Sequence, residues 1–321
     1  MNREKVLELL GADWTQMTEL IRSGLVSEVP LANEINDSIL SHPGKLLRPM
    51  ISLLLAKACG GITPDSIRYA AAAELLHNAT LIHDDVADGS SERRGMPTLR
   101  SRIGPRAAVL VGDYWLARSV EMVLGEDADA EALELLSKPL VDLAEGEILQ
   151  LQKAESCDTT EDDYLRIIYC KTASLFEFVG VTAARSADAS DEWEAAVKSY
   201  ARSFGLAFQI RDDILDYEGT QTGKPVGQDL AERKITLPLI GALRGSPREA
   251  EIRRMVREIP DHPENCDLIR AFVRERDGIA YAREMLDEYV GLAVWALDPL
   301  PWTDAKRALV DLVKYNSIRE V

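Results

Sequence analysis

Residues 80–95, TLIHDDVADGSSERRG, place three aspartates, Asp84, Asp85 and Asp88, at the end of an apolar stretch, and two arginines, Arg93 and Arg94, beyond a Gly/Ser break. The carboxylate spacing returns in FGLAFQIRDDILDYEG, residues 204–219, as Asp212, Asp213 and Asp216. On a helix, positions four apart share a face with β-carbons about 5–6 Å apart, so Asp84 pairs with Asp88 and Asp212 with Asp216. The middle residues, Asp85 and Asp213, point roughly 100° away. Like charges at this spacing cost a helix about 0.2–0.5 kcal/mol per pair, and more when partly buried, so a neutralising partner is expected. Magnesium suits the task, because it is commonly held by one or two carboxylates while waters and substrate phosphates complete its shell, whereas calcium wants more oxygens. Asp84, Asp88, Asp212 and Asp216 are therefore the candidate metal ligands.

In so acidic a chain, one such repeat could equally be a solvated face. GEDADAE at 125–131 and TTEDDY at 159–164 are as acidic but sit at breaks, where Asp and Glu favour helix starts, and they are assigned to caps and surface. The two aspartate repeats instead follow AAAELLHNATLI and SFGLAFQI, which are apolar nearly all round and point to central helices.

Cations are spread along the chain. HPGKLLRPM, residues 42–50, sets Lys45 and Arg48 three apart on one expected helical face, able to hold a diphosphate. Arg93 and Arg94 are expected to fold back over the metal site without pairing to the aspartates, since direct pairing would leave neither charge for metal or substrate. Lys171, Lys224 and Lys234 stand at or near expected helix ends. Taken singly, each is an ordinary surface or capping charge.

The elements that must position these groups read as helices. Apolar residues recur at three- and four-residue spacing, as in Leu47, Ile51, Leu54 and Leu55 or Val197, Tyr200, Ala201 and Phe204. No alternating strand pattern emerges, and the Gly/Pro breaks divide the chain into roughly ten to thirteen helices of one all-α domain spanning 1–321. With 54 acidic and 37 basic residues the net charge is −17, which repels nucleic acid over most of the surface. The start lacks a sustained apolar run, and MISLLLAKACGGI is cut by Ser52 and Lys57, so neither a secretory signal nor a transmembrane segment is expected. Cys59, Cys157, Cys170 and Cys266 are scattered, which argues against a zinc site or a disulfide framework and fits a reducing cytoplasm.

PGKLLRP, ELLHNATLIHDDVAD, RRGMPT, VLVGDY, AEGEILQL, KTASLF, FQIRDDILDY, GKPVGQDL and KITLPLI together resemble, in order and spacing, the trans-isoprenyl diphosphate synthase (polyprenyl synthetase) family over nearly the whole chain. The resemblance implies a helical bundle around a deep central cavity, usually a homodimer, with the aspartate repeats facing each other across its mouth. It implies head-to-tail prenyl transfer: three magnesium ions draw on an allylic diphosphate, its C–O bond ionises, the allylic cation alkylates isopentenyl diphosphate, and a proton leaves. Asp84, Asp88 and Asp212 would be the main ligands, with Asp85, Asp213 and Asp216 helping. Arg93, Lys171, Lys224 and Lys234 would contact the allylic diphosphate; Lys45, Arg48, His77 and Arg94 would bind isopentenyl diphosphate; Thr172 and Gln209 would lie near the reacting carbons. On an apolar helix a lone histidine is more often a core residue, and His83 is left structural; the position of His77 relative to Asp84 carries its assignment. Ala87, Gly89, Arg233 and Pro43 depart from the usual pattern without removing a ligand or a named cation.

In this family the growing tail runs beside the helix before the first aspartates, where bulky residues stop it. Ala79 and Thr80 are small, so the tail is expected to pass them and step back a helical turn at a time, about 5.4 Å, to Leu75 or Leu76 and then Ala72. Trp115 or Met122 would set the floor. A product longer than geranylgeranyl, of hexaprenyl to decaprenyl type, follows, with release at a membrane surface. The alternatives are a short-chain farnesyl or geranylgeranyl synthase, a class I terpene cyclase, which binds one diphosphate and usually has an Asn/Ser/Glu second motif, and a non-catalytic subunit of a heteromeric synthase, which should have lost aspartates or arginines.

Overall fold

The computed structural model describes residues 3–42, 44–93, 95–125, 130–218 and 227–319. Among them are sixteen α-helices, numbered in chain order, a five-residue π-helical segment and a two-stranded hairpin. The helix count exceeds the sequence expectation because pieces such as Leu99–Ile103 (α5), Gln228–Ala231 (α11) and Leu237–Leu243 (α12) are too short to show a 3.6-residue pattern. The hairpin, Glu92–Arg93 (β1) with Met96–Pro97 (β2), was not expected either; two-residue strands carry no alternation to read.

Four long helices make the interior. Pro64–Ala87 (α4) starts at a capping box in which Thr63 accepts from the Ser66 amide and Ser66 from the Thr63 amide, with Pro64 preset for the first turn. It stops as Gly89 turns into the left-handed region at φ +67°, so Asp84 and Asp85 occupy its last turn and Asp88 caps it. Leu47–Ala58 (α3) and Ser174–Ser186 (α9) are buried on all sides, and Asp191–Glu218 (α10) runs through both halves of the core. One half gathers α3, α4, α9 and Asp304–Ile318 (α16); the other gathers α12 and Gly278–Ala296 (α15).

Two expectations about local placement are corrected. Lys45 does not share a helical face with Arg48: α3 begins at Leu47, after Leu46 at φ +52°, because the ring of Pro49 would clash with the carbonyl of residue 45 in a continued helix. Lys171 is not near a helix end. It lies in the π segment Tyr169–Ala173, inside a helix continuous from Glu161–Ile168 (α8) into α9. That helix is apolar and long enough to cross a bilayer, but 89% of its apolar window is buried inside the protein.

Candidate active site

The last turn of α4, the π segment and the middle of α10 converge on a cavity of about 550 Å³, whose far wall is formed by Pro105–Leu124 (α6) and Ala130–Ser156 (α7). Its polar lining includes Asp84, Asp212, Arg93, Lys171, Thr172, Gln209, Lys45, Arg48 and His77; Leu76, Ala79, Thr80, Leu116, Leu140, Leu143 and Phe208 continue inward. Asp84, Asp212, Lys45, Arg48, His77, Arg93 and Lys171, among the sequence-predicted charges, thus meet around one chamber that also has apolar lining.

Two glycines allow this convergence. A β-carbon at Gly146 of α7 would fall 2.7 Å from Cys170 Cβ and 3.0 Å from Lys171 Cγ, and one at Gly205 of α10 would fall 2.6 Å from Ala173 Cα. The π segment is therefore clasped from both sides, and its inserted residue re-aims Lys171 and Thr172. Lys171 ion-pairs with Glu147 and donates to Gln150 Oε1 at 3.1 Å.

Around the first repeat, Arg93 Nε donates to Asp85 Oδ1 at 2.7 Å, and Asp85 is buried. The expectation that Arg93 stays unpaired is therefore corrected: the hairpin folds it onto the middle aspartate, the one turned away from the other two, and Asp84 and Asp88 keep their charge for a cation. Burial pushes Asp84 up to about 6, opposed by Lys171 and reinforced by Glu147 and Asp88. Asp88 is raised as well, mainly by desolvation, against the pull of Lys234.

Around the second repeat the three aspartates divide their tasks. Asp213 is buried and accepts from Tyr164 Oη at 2.7 Å and Gln209 Nε2 at 2.9 Å, while Thr172 Oγ1 donates to Gln209 Oε1 at 2.8 Å. Desolvation pushes Asp213 up to about 7 despite those donors. Asp216, expected to converge with Asp212 on metal, spends both oxygens on the backbone amides of Gly227, Gln228 and Asp229, at 3.2, 3.1 and 3.1 Å. The start of α11 leaves those donors without intrahelical partners, and a carboxylate is their natural acceptor. Asp212 pairs with Arg319 at 2.5 Å. Asp84, Asp88 and Asp212 remain as the carboxylates suited to hard cations. Among the described residues no three His, Cys, Asp or Glu side chains gather closely enough to hold a metal ion by themselves.

Lys234 ion-pairs with Glu232 and faces a neighbouring cavity of about 150 Å³ with Tyr164, Asp213 and Asp229. Arg94 and Lys224 lie outside the described residues. His83, left structural, approaches the Val109 carbonyl and Asp113, both at 3.3 Å. The expected floor is also corrected. Trp115 is turned into the core, where its Nε1 donates to Asn36 Oδ1 at 2.9 Å, and Met122 packs beside Gly24. Leu75 and Ala72 are buried and do not line the chamber, whereas Leu76 and Leu116 do.

Sequence reasoning missed Tyr164, Glu147, Gln150 and Arg319. Glu147 and Gln150 lie inside AEGEILQL, where an acid and an amide one turn apart were the available signal. Tyr164 was hidden in TTEDDY, read as a cap, which it also is: Thr160 and Asp163 form the capping box of α8. Tyr164→Phe removes a donor from a buried carboxylate and should cost about 1–3 kcal/mol of stability. Loosening Gln209 and Thr172 should also lower kcat more than it changes KM, a split that steady-state kinetics beside thermal melts would measure.

The family model described as polyprenyl synthetase matches residues 29–273. Octaprenyl diphosphate synthase of Escherichia coli (strain K12) is 38% identical over 315 residues, 97% of each chain. The crystal structure of a decaprenyl diphosphate synthase from Rhodobacter capsulatus superposes with a TM-score of 0.92 at 34% identity, covering 100% of both chains. That of a polyprenyl synthase from Caulobacter crescentus CB15, complexed with calcium and isoprenyl diphosphate, gives 0.90 at 33% identity, covering 99% of this chain and 98% of the other.

Proposed function

Because the chain belongs to the polyprenyl synthetase family, we propose that it is a trans-polyprenyl diphosphate synthase joining an allylic diphosphate head-to-tail to isopentenyl diphosphate, with a product longer than geranylgeranyl. The observation that carries the reading is the single chamber in which Asp84 and Asp212 meet two sets of cations beside apolar lining. A class I cyclase needs neither a second aspartate repeat nor a second diphosphate site, and a subunit that had lost catalysis would not retain this set.

Magnesium, when bound with the allylic diphosphate, supplies the positive charge that stabilises the leaving diphosphate. Asp84, Asp88 and Asp212 would hold it; the calcium and isoprenyl diphosphate in the Caulobacter relative support a divalent cation working with a diphosphate. Arg93 and Lys171 hold the allylic diphosphate, with Lys224 and Lys234 assigned to the same group by family resemblance. Lys45, Arg48, His77 and Arg94 hold isopentenyl diphosphate. The C–O bond breaks as the diphosphate takes the electron pair, the double bond of isopentenyl diphosphate captures the cation, and a proton leaves. Thr172 and Gln209, locked by Asp213, flank the reacting carbons, while Ala79, Leu76, Leu116 and Phe208 exclude the water that would quench the cation. The whole chain, 1–321, acts as one domain.

The family resemblance implies a homodimer, and the exposed apolar side chains Val141, Ile148 and Leu151 on α7 and Leu110 on α6 offer it apolar surface. Diphosphate release tests the reaction class: it should require magnesium and both substrates together. Release from an allylic diphosphate alone would point to the cyclase.

Asp84 also fixes a pH dependence. A carboxyl raised to about 6 binds a proton that a cation must displace, so apparent magnesium affinity should fall about tenfold per pH unit below 6 and level off above it. The folding linkage runs the other way. Between the ordinary aspartate value of 3.8 and 6 the folded chain holds more protons than the unfolded one, so this group's contribution to stability falls as pH rises through that window. Magnesium titrations at pH 5, 6 and 7.5 read the first effect, and metal-free melts the second.

A further inference from the structure

An arginine remote in sequence from both aspartate repeats reaches the candidate metal site. Arg319, beyond the end of α16, is 8% exposed and lies 107 positions from Asp212, and its Nη2 meets Asp212 Oδ1 at 2.5 Å. It is held from every side. Nε donates to Asn316 Oδ1 at 2.8 Å, Nη2 reaches the Phe208 carbonyl at 3.3 Å, and the guanidinium lies over the Phe208 ring, 4.4 Å from its centroid. Its own carbonyl accepts from Arg211 Nε and Nη2 at 2.9 and 2.6 Å, tying the chain end to α10 one residue before Asp212.

We propose that Arg319 is a positioning residue for the metal site: it pins Asp212 through Oδ1 and presents Oδ2 to the cation. Carboxylates that ligate metals are oriented by outer hydrogen-bond donors, whose loss typically costs about 10–100-fold in metal affinity or activity. An arginine suits this role because its planar fork spreads donors over separate nitrogens that reach Asn316, Phe208 and Asp212, whereas an ammonium carries its three donors on one atom. A guanidinium so fixed does not leave when a cation arrives. It forbids bidentate chelation and limits Asp212 to one oxygen, leaving room in the shell for phosphate oxygens and water. It also couples the segment after α16 to the site, so loss of Arg319 damages metal binding and not only packing.

The inference rests on Asp212 being a metal ligand, and the experiment separates the two. Magnesium is titrated into the full-length protein in saturating inorganic diphosphate, and the midpoint of thermal stabilisation is read for wild type, Arg319→Gln, Asp212→Asn and the double variant; KM for isopentenyl diphosphate is measured in parallel. Arg319→Gln is expected to move the magnesium midpoint up about 10–100-fold, leave KM for isopentenyl diphosphate unchanged, and add little in the Asp212→Asn background. Arg319→Lys, which keeps the charge and the buried stem, should recover only part of the shift, and it stands in if the glutamine variant does not fold. An unmoved midpoint in Arg319→Gln beside a shifted one in Asp212→Asn overturns the inference alone, as does a loss confined to KM for isopentenyl diphosphate. An unmoved midpoint in Asp212→Asn overturns the metal reading beneath it.

Discussion

Asp84→Ala and Asp212→Ala are each expected to lower kcat by at least about 10²–10³-fold, the loss that follows removal of one preorganised group facing developing charge. Their stabilities should part company. Asp84 is raised to about 6 by burial and by its acidic neighbours, so at neutral pH the metal-free carboxylate is a strained charge, and Asp84→Ala should melt no lower than wild type. Asp212 is the partner of a buried guanidinium, so Asp212→Ala should melt lower while its circular dichroism stays helical. Wild-type turnover in both variants would refute the metal assignment, and equal loss of stability in both would refute the electrostatic description of Asp84.

Ala79→Tyr should shorten the product to farnesyl or geranylgeranyl length while total isoprene transfer falls far less. Ala79 lies on the chamber wall five residues before Asp84, and Leu76, nearly a turn earlier on the same helix, lines the chamber with Leu116. A phenol at position 79 fills the space that a tail of three or four units needs. Leu76→Ala acts in the other direction and should lengthen the product by at least one unit, because one helical turn of about 5.4 Å is close to the reach of an added unit. Chromatography of the dephosphorylated alcohols reads both, and an unchanged product in Ala79→Tyr would place the tail elsewhere.

The all-helical architecture was legible because α3, α4, α9 and the second half of α10 are apolar on most faces, as a helix packed into a protein interior or a membrane must be. The repeats were legible because aspartates at the end of such helices have few structural uses. What each aspartate does was not. Asp85 is paired by a hairpin too short to carry a pattern, and Asp216 serves amides 11 to 13 positions further along the sequence. Asp212 meets an arginine from the far end of the chain, a contact that no local spacing encodes. Helical periodicity also misplaced the chamber floor: neighbouring residues on α6, Trp115 and Leu116, face opposite surroundings, and only packing decides which one meets the tail.

The account is tested most directly by sizing the products of the purified wild-type protein incubated with magnesium, labelled isopentenyl diphosphate and geranyl, farnesyl or geranylgeranyl diphosphate. It predicts magnesium-dependent elongation to an all-trans chain longer than twenty carbons. No elongation from any primer, or farnesyl diphosphate as the terminal product, would contradict it.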